Sequence, residues 1–174
     1  AIATPGFFNA THYPGQIICF SAGNSGPGSG TTTPPRAPQL IGVGASTSYH
    51  TFENAYGPDQ GFGQLADFSS RGPLTLGYPK PDILAPGRNN FGLVPTYGNV
   101  FGITDDGDTA VYAGTSMACP MVAGVAALLI DAYRANNGNA NMTPDFYKTL
   151  MQSTATNIGM DALEYLYYNT DTSS

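Results

Sequence analysis

Ser116 stands where a glycine-flanked turn passes directly into a long apolar run, Gly114-Thr115-Ser116-Met117-Ala118-Cys119-Pro120-Met121-Val122-Ala123-Gly124. The first N–H groups of a helix lack intrahelical acceptors and carry the positive end of its dipole. A hydroxyl at such a junction is placed to attack a carbonyl, with the developing negative charge stabilised beside it. A second polar group is presented in a comparable way. The strand-forming run Gln16-Ile17-Ile18-Cys19-Phe20-Ser21-Ala22 ends in Gly23-Asn24-Ser25-Gly26-Pro27-Gly28, which cannot continue as a strand and so delivers Asn24 to a loop. The chain has two histidines, His12 in a Tyr-Pro-Gly loop and His50 in a polar connection. Both read as loop or surface residues rather than as a base within reach of a serine. The acidic cluster Asp105, Asp106 and Asp108 could attract calcium, but it lacks the remaining ligands of a calcium loop and reads as a solvated hairpin tip. No metal or cofactor is assigned.

The elements that must position these groups alternate along the chain. Beyond Pro120, placed by the sequence within the first turn or so of the helix, Met121, Val122 and Val125 to Ile130 leave almost no polar face. This predicts a helix buried all round, stopping near Asn136-Asn137-Gly138. Leu40 to Ala45 reads as a buried strand, Gln64 to Phe68 and Ile83 to Leu84 as further strands, and Phe91 to Tyr112 as a hairpin or an irregular excursion. Thr143-Pro144-Asp145 opens a last helix, with threonine as cap and proline in its first position. Such alternation favours an α/β fold, a mostly parallel sheet with helices on both faces.

The serine segment resembles the signature of the subtilisin-like serine proteases, Gly-Thr-Ser-Met-Ala-x-Pro-His-Val-Ala-Gly, and Ser116 takes the nucleophile's place. Ala22-Gly23-Asn24 resembles the family segment whose asparagine amide donates to the oxyanion, and Ser21-Ala22-Gly23 resembles one wall of the pocket for the residue before the scissile bond. Asp67-Phe68-Ser69-Ser70-Arg71-Gly72-Pro73 and Lys80-Pro81-Asp82-Ile83-Leu84-Ala85-Pro86-Gly87 match scaffold stretches in the same order. The resemblance implies a three-layer subtilisin-like fold and a polypeptide substrate. It also implies Ser116 and Asn24 as catalytic residues.

The family's triad runs aspartate, histidine, serine. Its Asp-x-Gly and His-Gly-Thr motifs are absent, so residues 1–174 resemble only the C-terminal half of a peptidase domain and imply an N-terminal half as partner. Alone, the chain is expected to be nearly inert. Met121 replaces the motif's usual histidine, which is not the catalytic base. Met160 to Tyr168, with the tail Asn169 to Ser174, departs from the family's closing Gly-x-Gly turn and strand.

Bulk properties agree with a globular domain. The 174 residues are 41% hydrophobic and only 10% charged, with 22 glycines and 14 prolines, giving a neutral, turn-rich surface. A net charge of −6 offers nothing to nucleic acid, and the apolar run Met117 to Ile130 is too short to span a membrane. With the family resemblance this suggests a secreted or cell-surface protein. Cys19 lies roughly 15 Å along a strand from Asn24 and Cys119 roughly 5 Å along a helix from Ser116, so the thiols are expected to be free and apart. The alternative to a serine endopeptidase is a non-catalytic surface or assembly protein that keeps the scaffold.

Overall fold

Ile41, Val43 and Ala45 alternate with Gly42, Gly44 and Ser46, and that period of two decides what covers each face of their strand. The computed structural model describes residues 16–32, 40–47, 63–73, 79–88, 90–93, 109–138, 140 and 142–158. The strand is β2 (Ile41–Thr47), lying between β1 (Cys19–Ser21) and β3 (Ile83–Arg88) in an all-parallel sheet of order β1-β2-β3. Ile41 and Val43 face the core, where they meet Ala85 of β3 and the helices. The glycine face is covered by chain. A methyl on Gly44 would come within 2.6 Å of Leu84 Cδ2, 2.7 Å of Pro81 Cγ and 3.0 Å of Ser69 Oγ. In a separate two-stranded sheet, β4 (Asn90–Leu93) and β5 (Thr109–Tyr112) pair antiparallel, the hairpin of the two expected alternatives. The strand expected at Gln64 to Phe68 is reduced to a single antiparallel bridge, Leu65 to Ser46.

Two helices, α1 (Thr115–Asn136) and α2 (Pro144–Thr154), pack on the core face. α1 buries Thr115, Ala118, Val122 and Ala126, a narrow stripe of mostly small side chains that lets the helix lie close over all three strands. α2 begins as predicted, with Pro144 in its first turn and the Thr143 hydroxyl accepting from the Phe146 N–H at 3.3 Å. It contributes Met151 to the same core, and Tyr133 of α1 meets the rings of Phe146 and Tyr147 edge-on. The described residues therefore supply the sheet and one of its helical layers.

Three expectations about α1 need correction. It is not buried all round, since Met121, Val125 and Leu128 are 43, 48 and 72% exposed and form a stripe that no described residue covers. Apolarity required these side chains to be covered by something, but could not say that the cover lies within this segment. Pro120 is the sixth residue of α1, past the first turn, so the Ser116 carbonyl has no N–H at position 120 to receive. The helix runs 22 residues and is apolar enough, by length and composition, to cross a membrane. Its contacts with β1, β2 and β3 assign it to the sheet instead. His12, His50, the acidic cluster at Asp105, Asp106 and Asp108, and the segment from Met160 onward lie outside the described residues.

The thiols are free, as expected. Cys19 and Cys119 both pack, half-buried, against the same core cluster. Burial, with the neighbouring Cys119 charge adding, pushes Cys19 from 9.0 up to about 11, and burial raises Cys119 as well. They share that core because β1 runs toward the site while α1 runs away from it. Stepping back along the strand and forward along the helix leads in the same direction.

A buried ionic group fastens β3 to the rest. Asp82 accepts from the Gly42 N–H at 2.6 Å and holds both Lys80 and Lys148, the latter at 2.7 Å, while Lys80 also donates to the Leu40 carbonyl at 2.7 Å. Desolvation pulls Lys80 below the usual lysine value despite the opposing pull of Asp82. Removing the carboxylate strands two ammonium groups, one of them deeply buried. Asp82→Ala is expected to cost about 3–5 kcal/mol, measurable by urea unfolding of the full-length protein. The raised Cys19 value predicts slow alkylation. At pH 8 the folded protein should react at this thiol about 100-fold more slowly than the unfolded chain. The unfolded thiol gives up its proton first, so this thiol's contribution to stability is lost as pH climbs from 9 through 11.

Candidate active site

The site forms at the carboxyl ends of the parallel strands, where open α/β sheets place their ligands. The Ala22 N–H continues the ladder to the Val43 carbonyl at 2.8 Å, and the chain then turns at Gly23, whose φ of 106° strains any residue with a side chain. One residue grips the turn on both sides of Asn24. The Ser70 N–H donates to the Gly23 carbonyl and the Ser70 hydroxyl accepts from the Ser25 N–H, both at 2.9 Å. The loop lies so tightly on the 67–69 segment that a methyl on Gly26 would fall 2.3 Å from the Ser69 carbonyl oxygen. The scaffold stretch Asp67 to Pro73 thus acts as a strap under the asparagine.

The serine arrives from β5 and the end of β3. The Gly114 N–H donates to the Gly87 carbonyl at 2.6 Å, fixing the turn that opens α1. Gly114 caps the helix at φ 157° and ψ 155°, a conformation essentially reserved for glycine. Thr115 and Ser116 are the first two helical residues.

Thr115 joins the two halves of the site. It is 1% exposed, and both its N–H and its hydroxyl donate to Asn24 Oδ1, each at 2.9 Å, while its hydroxyl accepts from the Gly23 N–H at 3.2 Å. Asn24 therefore caps the helix from a distant loop by satisfying an orphan N–H. With its carbonyl end doubly occupied, the amide presents its NH2 end outward as a donor. A Cβ on Gly114 would lie 3.4 Å from Asn24 Nδ2 and 3.7 Å from the Ser116 nitrogen. The space that this glycine leaves open is bordered by two N–H donors. The Ser116 N–H meets no acceptor among the described residues, and Ser116 and Asn24 are both exposed. Two converging donors beside an exposed hydroxyl can hold an oxygen that becomes negative as the hydroxyl attacks.

Of the residues predicted for the site, Ser116, Asn24 and Gly23 are brought together, with Ser21 half-buried at the end of β1. Ala22 is buried at 4% exposure, so it contributes backbone rather than an open wall. Thr115 was legible only as part of the motif. Its own signal is the requirement that a helix's first N–H, once buried, find an acceptor outside the helix. Among the described residues no group of three histidine, cysteine, aspartate or glutamate side chains could hold a metal ion. A hollow of about 1000 Å³ opens between β2, β3, α1 and α2, walled by Thr47, Ile83, Val125, Leu129, Met151 and Ile158, and shares no residue with this site. The joint at Thr115 is testable without an assay of activity. Thr115→Val keeps the shape but removes the hydroxyl from Asn24 and Gly23, and is expected to cost about 1–3 kcal/mol in chemical denaturation, with Thr115→Ser restoring most of it.

Known proteins resemble this chain in sequence and fold. The Subtilase family profile matches residues 6–168. The chain is 37% identical over 144 residues to the serine protease AprX of Bacillus subtilis (strain 168), covering 80% of this chain and 30% of that protein. It is 33% identical over 159 residues to pyrolysin of Pyrococcus furiosus, covering 82% of this chain and 10% of that protein. Among solved structures, the self-cleaved protease domain of PatA superimposes with a TM-score of 0.55 at 26% identity, over 82% of this chain and 43% of that one. Sphericase does so with a TM-score of 0.57 at 26% identity, over 84% and 42%. The chain thus spans under a third of these two curated relatives and less than half of these two structures. A serine at the head of an apolar helix, facing an asparagine delivered by a parallel strand, is the arrangement of a subtilisin-like hydrolase, and this chain belongs to the subtilase family of serine proteases.

Proposed function

We propose that this chain is the C-terminal portion of a subtilisin-like peptidase domain, which hydrolyses peptide bonds through an acyl-enzyme on Ser116. The observation that carries the reading is the approach of the Asn24 amide and the Ser116 N–H to one point beside Gly114, 3.4 and 3.7 Å from where its Cβ would stand. The Ser116 hydroxyl attacks the substrate carbonyl and passes its proton to a histidine of the N-terminal half, which an aspartate of that half orients. Charge moves onto the carbonyl oxygen, which the Asn24 NH2 and the Ser116 N–H receive in a geometry set before substrate arrives. The histidine then protonates the leaving amine, and water releases the acyl group by the same steps. Ser21 and Gly23, with the backbone of Ala22, form one wall of the pocket before the scissile bond.

The N-terminal half has surfaces to meet. The stripe Met121, Val125 and Leu128 is apolar and uncovered, and β1 pairs only with β2 among the described residues. Each is a surface that a folded domain covers. A neutral polar surface with few charges suits the exported setting expected from the sequence, secreted or at the cell surface. No observation favours the non-catalytic alternative.

The complete protein is expected to label at Ser116 with a fluorophosphonate, and Ser116→Ala to abolish labelling. The isolated 174-residue chain should label poorly, because nothing removes the serine's proton. Equal labelling of chain and complete protein would refute the need for a second half. Asn24→Ala should lower kcat about 10²- to 10³-fold with little change in KM, a loss recorded for such a donor in a subtilisin and carried over from that enzyme.

A further inference from the structure

Cys19 and Cys119 lie 100 residues apart in the chain, yet they pack against one core cluster, one on β1 and the other on the helix that crosses it. Neither is part of the proposed chemistry. Cys19 lies five residues before Asn24 and Cys119 three residues after Ser116, so they stand on the two elements that carry the donor and the nucleophile. We propose that these cysteines are an oxidisable pair, a modification site at which a disulfide closes between β1 and α1 and ties the strand that delivers Asn24 to the helix that carries Ser116.

The step requires a two-electron oxidant, and a small disulfide such as oxidised glutathione serves. One cysteine loses its proton and attacks a glutathione sulfur, expelling a glutathione thiolate and leaving a mixed disulfide. The second cysteine loses its proton, attacks the protein sulfur of that intermediate and expels the other glutathione. Two protein thiols are oxidised and one glutathione disulfide is reduced to two thiols. The Cys119 charge is felt at Cys19, in keeping with their packing on one core, and both thiols are held protonated by burial, so closure is slow at neutral pH. The bond would close a loop of about 100 residues, the kind of cross-link that most restricts an unfolded chain. The pair stands independently of the catalytic reading, and its test uses no measure of activity.

The full-length protein is incubated with oxidised glutathione, free thiols are then blocked, and the protein is digested for peptide mapping by mass. The expected result is a peptide pair joined through Cys19 and Cys119, dissolved by dithiothreitol. A rise in Tm on the order of 5–10 °C should accompany it, absent from Cys19→Ala and Cys119→Ala. Recovery of the two cysteines only as blocked thiols, glutathione adducts or links between molecules would overturn the proposal. A mapped Cys19–Cys119 link that left Tm unchanged would overturn the claim that it ties native elements together.

Discussion

One oxygen atom joins the halves of this site. Asn24 Oδ1 accepts from both the N–H and the hydroxyl of Thr115, so a loop at the end of β1 and the first turn of α1 are held together by a partly buried pair of hydrogen bonds across more than 90 residues of chain. A helix's first N–H groups need acceptors, and here the acceptor is a side chain that has a second end to offer. Capping the helix and aiming the amide are the same interaction. If the oxygen were to leave Thr115, the helix would lose its cap and the NH2 would lose its direction together.

The rest of the described fold serves that contact through close approach. Gly44 and Gly26 have no space for a methyl group, and Gly114 leaves open the space between the two donors. The Ser70 strap and the Gly87 carbonyl hold the backbone on either side. Interactions of this kind are short and local, whereas the ionic group around Asp82 secures β3 beneath them from a buried position. The site is rigid where charge must be received. It is exposed where substrate and a base must arrive.

Much of this could be read from residue order. The strand at Ile41, the cap at Thr143, the loop carrying Asn24 and the helix opening at Ser116 each follow from local rules of propensity, capping and turn chemistry, and those rules act between neighbours in sequence. What could not be read depends on contacts between distant segments. The stripe at Met121, Val125 and Leu128 announced burial but not what would cover it, and a helix read as central proved to be covered on one side by the described residues. The strap at Ser70 and the role of Thr115 were hidden because hydroxyls bonding to distant backbone leave no periodic trace. That the two free cysteines lean on one core also depends on the directions in which strand and helix run, which lengths along the chain do not give.

The most direct measurement is a crystal structure of the complete protein inactivated at Ser116 by a fluorophosphonate, whose phosphoryl oxygen stands where a carbonyl oxygen becomes negative. That oxygen should lie about 2.7–3.1 Å from both Asn24 Nδ2 and the Ser116 nitrogen, with Asn24 Oδ1 still on Thr115. An oxygen turned to solvent, or an Asn24 rotated away from Thr115 while the adduct stands, would contradict the account.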